Sequence, residues 1–528
     1  MAIKKYIADK DNTITNAFQL DMSTRATGSN MGASDILEVF SIYGQQNLTQ
    51  SPTTGSSELS RVLVQFPITA ISADRTAGTI PASGSVSFFL RMFNARHSEQ
   101  LPENFTVNVL AVSQSWEEGH GLDMEGYKDK TMDAVQGSNW TNRKKATTWA
   151  KQGGDYHSSS YVSGVTMPNY TYTFDEGYED LELDVTDAVE EWIAGNKSNY
   201  GFGIFLTSSF ETYVSNSNGL DDGPVLHNPS GQKTSFYTKR FFSRSSEFFF
   251  KKPSLEARWD SRTKDQRGTF FYSSSLAPAA DNLNTIYLYN YVRGRLTNIP
   301  SVGTGKILVS IYSGSADDTS PFGPKLQPSR ADQASGDGFT GDTTNLNITG
   351  GFVSTGIYSC SFAFTGSSDL KTIYDVWHTG SLEFNTGSIR PKTLSSPNFN
   401  QYDQYVSKIT NLKSKYIKNE QARFRVFTRP RNFSPNIYSV AVREVENTII
   451  PSASYEVLRM VDEHTVINNS TGSATLHTYL SYDVSGSYFD LDMTLLEPGY
   501  LYGIKLSYHV AGQWREQEEV FKFRVEDN

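Results

Sequence analysis

The stretch Asp180-Leu-Glu-Leu-Asp-Val-Thr-Asp-Ala-Val-Glu-Glu-Trp-Ile-Ala-Gly195 has the pattern of a strand that runs directly into one short helix. Leu181 and Leu183 alternate with acidic residues at the period of a strand. After them the apolar residues recur at helical spacing on a single face, which ends with Trp192 and Ile193. A helix this short needs tertiary packing in water, so the pattern predicts that Trp192 and Ile193 press against a sheet.

Both ends of the predicted helix carry capping signals. Thr186 is a natural N-cap, because its hydroxyl can accept a hydrogen bond from a first-turn amide. Asp187 places a negative charge at the positive end of the helix dipole, and Gly195 suits a left-handed C-terminal cap. The next segment, Tyr200–Leu206, has the pattern of a buried strand. Because little else has helical spacing, we predict an all-β fold in which one short helix plugs the first β-sandwich.

The composition is typical of a β-rich globular chain. Its 528 residues exceed what one hydrophobic core supports, so several domains are expected. Tyr (29) and Phe (32) carry much of the apolar content, which favours strands. The formal net charge of −10 argues against nucleic acid as a partner. The single cysteine, Cys360, lies in a strand pattern, which indicates a core residue and excludes an intrachain disulfide framework.

Neither a membrane span nor an export signal is evident in the sequence. No run approaches the roughly 18 consecutive apolar residues that a transmembrane helix needs. The opening Met1–Ile7 lacks the apolar core of a secretory signal. We therefore expect a chain that is made in a cytoplasm and has no membrane span.

Three β-sandwich domains in series are predicted, of jelly-roll or immunoglobulin-like type. They cover residues 1–260, 261–400 and 401–528. The first carries a long irregular insert, Ser115–Glu179, and the second a long loop rich in Gly, Asp and Ser, Ser313–Gly350. The main predicted strands are Ile36–Ile42, Ser60–Phe66, Ser85–Asn94, Phe105–Val112, Lys252–Asp260, Asn284–Arg295, Lys306–Tyr312, Gly356–Phe364, Ile373–His378, Ser381–Phe384, Ala422–Thr428, Tyr438–Glu444 and Val520–Glu526.

The third domain contains the spacing of a tyrosine corner. Leu496-Glu-Pro-Gly-Tyr-Leu-Tyr502 has the Leu-x-Pro-Gly-x-x-Tyr layout. In immunoglobulin and fibronectin type III sandwiches, the hydroxyl of this tyrosine bonds to upstream backbone. The layout therefore predicts an immunoglobulin-like or fibronectin-like sandwich in which the Tyr502 side chain is buried.

Several collinear motifs of the first domain resemble one known family. In chain order they are Gly28-Ser-Asn-Met-Gly-Ala33, Arg61-Val-Leu-Val-Gln-Phe-Pro-Ile68, Ser115-Trp-Glu-Glu-Gly119, Leu183-Asp-Val-Thr-Asp-Ala-Val-Glu-Glu-Trp192, Asn199-Tyr-Gly-Phe-Gly-Ile204 and Lys252-Pro-Ser-Leu-Glu-Ala257. This layout resembles the DNRLRE-type β-sandwich domain, which occurs in extracellular carbohydrate-associated proteins and in phage particles. The eponymous Asp-Asn-Arg-Leu-Arg-Glu string is absent, so the resemblance rests on the layout.

The insert and the segment Phe241–Phe250 resemble the version of this domain in virion structural proteins of marine tailed phages, particularly contractile-tailed cyanophages. The resemblance implies a non-catalytic structural component of a virion, in the neck, the tail or the capsid surface. Its expected partners are other virion proteins and further copies of the same chain, as a homo-oligomer. Its expected location is the virion, after synthesis in the host cytoplasm.

A basic and aromatic run, Lys239–Lys252, is the strongest candidate for a protein interface. Its charges cluster in an otherwise acidic chain, and Arg beside aromatic residues is common at protein contacts. The candidate contact residues are Lys239, Arg240, Phe241, Phe242 and Arg244. A buried strand pair with charged ends that reach solvent is the alternative interpretation.

The aromatic residues of the insert suggest a second function, a carbohydrate-binding adhesin that recognises host surface polysaccharide. Trp140, Trp149 and Tyr156 are the candidate glycan contacts, because aromatic faces stack on sugars. The alternative, which we prefer, is that these residues and Trp116 fix the insert onto the sandwich while their indole N–H groups bond to backbone.

No arrangement of residues for catalysis is apparent in the sequence. The eight histidines lack the spacing of a zinc site, and His378 has the pattern of a structural residue. No Gly-x-Ser-x-Gly nucleophile elbow or nucleotide-binding glycine loop occurs. Two acidic loops, Gly219–Gly223 and Ser335–Asp342, are interpreted as turns and not as calcium sites. We therefore expect no enzymatic activity, no cofactor and no bound metal.

Overall fold

A computed structural model gives the structure of the chain. It describes residues 2–19, 21, 23–45, 55–96, 102–122, 137–157, 167–233, 236–275, 277–328, 346–364, 370–393, 404–434, 436–437, 447–472 and 476–527. The chain divides into two compact units, Met1–Asp260 and Ser261–Asn528. Both units consist mainly of strands, so the prediction of an all-β fold is confirmed. A further division of the second unit near residue 400 stays a prediction.

The first unit contains thirteen strands and two α-helices among its described residues. The strands are β1 (Ile3–Ile7), β2 (Lys10–Thr15), β3 (Ile36–Gln45), β4 (Gly55–Gln65), β5 (Ser87–Met92), β6 (Phe105–Ala111), β7 (Asn142–Lys144), β8 (Thr147–Thr148), β9 (Tyr170–Phe174), β10 (Leu181–Asp184), β11 (Phe202–Leu206), β12 (Phe236–Phe242) and β13 (Ser254–Arg258). The α-helices are α1 (Ile68–Thr76) and α2 (Thr186–Ile193), and Phe249–Lys251 forms a 3₁₀ helix.

Two sheets form the sandwich of the first unit. One has the strand order β1-β13-β5-β10, and the other has the order β12-β3-β4-β11-β6-β9, with β2 paired to β4. Residues at alternate positions of β5 are buried, Phe88 and Leu90 among them, as expected for a strand with one face on a core. They share the main core with Val62, Val64 and Phe202 of the other sheet.

Helix α2 confirms the prediction made from its sequence. Trp192 is buried and packs against Phe202 of β11, with ring centroids 4.8 Å apart. Gly195 follows the helix with φ +74°, in the left-handed region. The buried face of the helix therefore supplies the packing that so short a helix needs.

The predicted capping role of Thr186 is wrong. The helix begins at Thr186 itself, and no side chain of the preceding residue caps it. The Thr186 hydroxyl accepts a hydrogen bond from the Phe88 N–H (2.8 Å) and thereby ties the helix to β5. Asp184 accepts from the Thr186 N–H, and the Tyr170 hydroxyl accepts from the Ala188 N–H (3.2 Å). A local aspartate of β10 and a tyrosine of β9 thus satisfy the first-turn amides that the Thr186 hydroxyl was expected to satisfy.

Helix α1 is a second correction, because one helix was predicted and the described residues of the first unit form two. It follows Pro67 and is followed by Gly78 at φ +73°, which are ordinary flanking residues of a helix. Its sequence has weak amphipathic character, since only Ile68 and Ile71 are buried. A paired ion contact from Arg75 to Glu190 of α2 (2.5 and 2.6 Å) holds it instead. Among the described residues, no helix is long and apolar enough to cross a membrane.

The second unit is made of strands and short 3₁₀ helices in its described part. The strands are β14 (Asn284–Tyr289), β15 (Tyr291–Val292), β16 (Arg295–Leu296), β17 (Ile307–Gly314), β18 (Pro321–Leu326), β19 (Asn347–Ser354), β20 (Ile357–Phe362), β21 (Ile373–His378), β22 (Glu383–Ile389), β23 (Tyr405–Ile409), β24 (Lys415–Ile417), β25 (Gln421–Pro430), β26 (Ala453–Arg459), β27 (His464–Ile467), β28 (Ser481–Asp483), β29 (Gly486–Asp492), β30 (Leu501–Val510), β31 (Gln513–Glu516) and β32 (Phe521–Glu526). The 3₁₀ helices are Gln266–Thr269, Ala279–Asn282 and Met493–Leu495.

The strands β14 to β22 contain one seven-stranded sheet with the order β14-β20-β19-β17-β21-β22, and β18 pairs with β17. Cys360 is buried in its core beside Ile286 and Phe362, as the sequence indicated. The loop predicted at Ser313–Gly350 is partly wrong, because β18 and the start of β19 lie within it. The segments of β18 and β19 carry too few apolar residues to be recognised as strands from the sequence, and they form strands by pairing with the long β17.

The remaining strands form two facing sheets. Their orders are β23-β25-β29-β28 and β24-β32-β30-β26-β27, with β31 paired to β30. Rings from the two sheets stack directly, such as Tyr455 of β26 on Phe489 of β29 at 4.2 Å between centroids. The tyrosine corner is confirmed, because the Tyr502 hydroxyl donates to the backbone oxygen of Glu497 (2.7 Å) and the ring is buried. The predicted strand Tyr438–Glu444 lies outside the described residues.

The tyrosine corner yields a stability prediction. Tyr502→Phe removes the hydroxyl that satisfies the Glu497 carbonyl, and we expect a loss of about 1–2 kcal/mol in the free energy of unfolding. The matched control is Tyr500→Phe, because Tyr500 is an exposed tyrosine of the same turn. Urea denaturation followed by tyrosine fluorescence gives both values. Equal midpoints for the two variants would show that the corner bond contributes nothing.

Candidate functional site

The tryptophans of the insert lie inside the protein. Trp116, Trp140 and Trp149 are almost fully buried, with exposed fractions of 3%, 0% and 3%. They form a second core on the outer face of the seven-stranded sheet of the first unit. Its other members are Ile14, Leu59, Leu63, Val112 and Leu226, with Tyr156 and Tyr200 packed against it. The insert is therefore a packed layer over the sheet.

Each of the three indole N–H groups donates to a backbone carbonyl oxygen. Trp116 donates to Tyr200 (2.8 Å), and Trp140 donates to Pro224 (2.9 Å). Trp149 donates within the insert, to Asn139 (2.9 Å). Because a buried N–H without a partner is costly, these bonds help to fix the insert on the sheet together with the apolar contacts.

Tyr156 packs on the sheet beside the tryptophans. Its ring lies 4.8 Å from that of Phe205, and its hydroxyl donates to the Gly153 oxygen (2.9 Å). A Cβ at Gly203 would lie 2.0 Å from the Tyr156 ring, so β11 needs glycine at this point. Burial raises the pKa of Tyr156 to about 12, which keeps the hydroxyl protonated.

The predicted glycan contacts Trp140 and Trp149 are therefore corrected, and the contact through Tyr156, which is partly buried, stays a prediction. The two indole faces are used for packing inside the second core and are not available to a sugar. The alternative given with that prediction, in which the tryptophans fix the insert and bond to backbone, describes the structure. A charge also lies beneath this layer, because the guanidinium of Arg61 is 4.3 Å from the centre of the Phe205 ring and contacts Glu211 (3.2 Å).

The candidate interface residues Lys239 to Phe242 lie on β12, at the edge of the seven-stranded sheet, and Arg244 follows the strand. Lys239 and Phe241 are fully buried, so they cannot contact a partner and are corrected. The outer edge of β12 is covered at two points, where Ala95 N donates to Arg240 O (3.0 Å) and Phe242 N donates to Phe93 O (3.0 Å). This cover protects an edge that would otherwise invite strand addition.

The two arginines of the run are engaged within the unit. Arg240 forms an ion pair with Glu38 of β3. Arg244 makes a two-fold contact with Glu118 at the start of the insert, at 2.5 and 2.6 Å. Its backbone N–H also donates to a carboxylate oxygen of Asp11 (2.6 Å). Arg244 therefore ties the insert to β2, although part of its side chain reaches solvent.

The part of the run that faces solvent is aromatic. Phe242 is half-buried and its ring lies 5.3 Å from that of Phe248, which is 49% exposed. The Lys251 ammonium lies over both rings, 4.9 Å from the centre of Phe242. Of the predicted contact residues, Phe242 thus remains the one with an accessible apolar surface, and Phe248 and Lys251 join it. We call these three residues the aromatic patch.

The histidine and the acidic loops show structural uses. His378 is buried and bonds through one ring nitrogen to the Ser310 hydroxyl (2.7 Å), and its other nitrogen accepts from the Gly380 N–H (2.8 Å). In the loop Gly219–Gly223, Asp221 accepts from the backbone N–H of His227, which is turn chemistry. Within the described residues no group of three His, Cys, Asp or Glu side chains could hold a metal ion. The loop Ser335–Asp342 lies outside them.

The fold defines an all-β chain of stacked sheets with an immunoglobulin-type tyrosine corner in its second unit. No protein-family model matches the sequence, and no curated protein matches it.

Among solved structures the chain is similar to the crystal structure of DIP-gamma IG1+IG2, at 12% identity over 47% of this chain and 89% of that one, with a TM-score of 0.12. It is also similar to the tandem Ig repeats of Dlar, at 9% identity over 42% and 82%, with a TM-score of 0.13. A third is the N-terminal Ig1-2 module of the Drosophila Receptor Protein Tyrosine Phosphatase DLAR, at 6% identity over 47% and 90%, with a TM-score of 0.13. These likenesses carry no inference about function.

The second core yields a prediction for Trp140. Trp140→Ala leaves a cavity and removes one of the two hydrogen bonds that the Pro224 carbonyl accepts, so we expect a loss of about 3–5 kcal/mol in unfolding free energy. The control is Trp514→Ala, because that half-buried indole donates to a backbone oxygen at the surface. Its expected loss is about 1 kcal/mol. Urea unfolding monitored by far-ultraviolet circular dichroism measures both, and a loss at Trp140 no larger than that at Trp514 contradicts the second core.

The cluster around Arg244 yields a pH prediction. Burial raises the pKa of Asp11 to about 7, with Glu118 adding to the shift and Arg244 opposing it. An aspartate of the unfolded chain titrates near pH 4, so it releases its proton first as the pH rises. Folding stability due to Asp11 therefore falls between pH 4 and pH 7.

The asparagine of Asp11→Asn does not titrate, so the stability of this variant lacks the fall between pH 4 and pH 7 that Asp11 causes. We expect the stability of the variant relative to the natural protein to increase by on the order of 2 kcal/mol between pH 4.5 and pH 8. The exposed Asp222→Asn serves as the control and shows no such change. Thermal unfolding over this pH range tests the assignment, and parallel curves for all three proteins refute it.

Proposed function

We propose that this chain is a non-catalytic structural component of a tailed-phage virion, located in the neck, the tail or the capsid surface. It assembles through protein contacts with other virion proteins and with copies of itself. The type of particle comes from the resemblance of the motifs between Gly28 and Ala257 to the DNRLRE-type domain of phage particles. The same proposal places the protein in the virion after synthesis in the host cytoplasm.

One observation carries the structural role, which is the burial of the insert as a second layer on the sandwich. A long insert that serves as a binding loop keeps its aromatic faces accessible. Here three indoles and Tyr156 pack against the sheet, and the three indole N–H groups bond to backbone. Such packing stiffens the first unit, which supports the proposed role as a structural component of an assembly.

The aromatic patch is the proposed contact with a neighbouring protein. Exposed phenylalanine beside a cation is enriched at protein interfaces. The patch lies next to β12, whose outer edge is already covered by residues 93–95. Contact through side chains of Phe242, Phe248 and Lys251 therefore fits this surface better than addition of a strand.

The adhesin alternative was based on an exposed aromatic surface of the insert, and the two tryptophans of that surface are buried. Its proposed glycan contacts were the faces of Trp140 and Trp149, and both indoles lie inside the second core. A glycan array with the purified full chain tests the alternative independently. Specific binding to a host polysaccharide would revive it and would require a different contact surface.

Mass spectrometry of purified particles tests the proposed function. We expect the chain in virions at a fixed ratio to the other structural proteins through successive gradient purifications. We also expect the double variant Phe242→Ser/Phe248→Ser to be incorporated poorly, because it removes the apolar patch. The control is Phe322→Ser, which alters an exposed phenylalanine of the second unit and leaves incorporation unchanged. A chain found only in the lysate contradicts the proposal.

A further inference from the structure

Lys239 occupies an unusual position for a lysine. Its side chain has no exposed surface, and its ammonium lies 4.4 Å from the centre of the Phe174 ring and 5.4 Å from that of Phe241. The nitrogen donates to three oxygens. They are the side-chain oxygen of Asn94 (2.8 Å) and the backbone oxygens of Gly177 (2.8 Å) and Glu179 (2.7 Å). The structure thus holds an amine against a carboxamide in an aromatic enclosure.

We propose that Lys239 and Asn94 react with each other to form an intramolecular isopeptide bond. The amine nitrogen is hydrogen-bonded to Asn94 Oδ1, so the carboxamide carbon Cγ lies no more than about 4 Å from it, given a C=O length of about 1.2 Å. Such a fixed contact favours the reaction, because the fold already holds the two reacting groups close together and oriented.

The enclosure favours the reactive form of the amine. Burial lowers the pKa of Lys239 to about 8, against the opposing charges of Glu179 and Asp180. A substantial share of the lysine is therefore neutral at mildly alkaline pH, and a neutral amine is the nucleophile. The rings of Phe174 and Phe241 keep water from the site, which hinders hydrolysis of the carboxamide.

The reaction needs no oxidant or co-reactant. The neutral Nζ attacks Cγ of Asn94, and the Nζ–Cγ bond forms as the Cγ–Nδ2 bond breaks. One proton passes from Nζ to the departing Nδ2, which leaves as ammonia.

The bond would join the two sheets of the first sandwich. Asn94 follows β5 of the four-stranded sheet, and Lys239 belongs to β12 at the edge of the seven-stranded sheet. The two residues are 145 positions apart, so the link closes a long loop of the unfolded chain. Closing such a loop restricts the unfolded ensemble and stabilises the fold by constraint, as a disulfide does. This chain has a single cysteine and so has no intrachain disulfide.

The intact mass of the purified full chain decides the proposal. We expect a mass lower than that calculated from the sequence by one ammonia molecule. A protease digest should contain a branched peptide in which the segment of Asn94 is joined to that of Lys239. A full-length mass equal to the calculated one, after days at pH 8.5, overturns the proposal and leaves Lys239 as a non-covalent clamp.

Variants separate this chemistry from other losses of ammonia. Asn94→Asp should lose water in place of ammonia and give the same branched peptide, because the same bond forms from a carboxylic acid. Asn94→Ala should keep its calculated mass. Lys251→Met, at a neighbouring lysine, should still lose ammonia. Loss of ammonia from Asn94→Ala would assign the event to another site and contradict the pairing.

Discussion

The central strands β4 and β11 of the seven-stranded sheet of the first unit are buried on both faces, and this constraint determines most of what surrounds them. Strand β4 shows the pattern directly, since Val62 and Val64 enter the main core while Leu59 and Leu63 enter the second core. A strand covered on both sides carries apolar residues on both faces and needs a second layer of chain to cover it, and its buried polar residues, such as Ser60 and Arg61 of β4, need partners there. The insert supplies that layer, so its tryptophans serve the sheet.

The same constraint explains the polar contacts around the sheet. A buried layer needs a partner for each N–H and each charge, and the partners come from distant parts of the chain. Arg244 joins the insert to β2 through Glu118 and Asp11, and Lys239 joins β12 to Asn94. Lys239 and Arg244 of the basic run thus hold layers together, and the aromatic patch is the part of the run with accessible apolar surface.

Local patterns in the sequence predicted the elements whose signals are local. The spacing in α2, the position of Gly195 and the tyrosine corner of Tyr502 all follow from a few neighbouring residues. Helix α1 was missed because its apolar face consists of Ile68 and Ile71 alone, and a distant salt bridge stabilises it. The capping of α2 by Tyr170 was missed for a similar reason, since that hydroxyl comes from β9.

The candidate site was harder to predict, because it depends on which face of the sheet the insert covers. A signal was present in Phe202-Gly-Ile-Phe-Leu206, where apolar residues do not alternate with polar ones. Such a run indicates burial on both faces and calls for a covering layer rich in large side chains. The partnership of Lys239 and Asn94 had no such signal, since 145 positions separate them.

Hydrogen exchange measured by mass spectrometry tests the two-sided burial of β4 and β11 most directly. Several insert amides are bonded within the layer, such as Trp149 N to Thr141 O and Gly153 N to Trp140 O. We predict that the bonded amides of residues 138–153 exchange as slowly as those of β11 and open together with them. Fast exchange across 138–153, at the rate of exposed turns and with β11 still protected, would contradict the account.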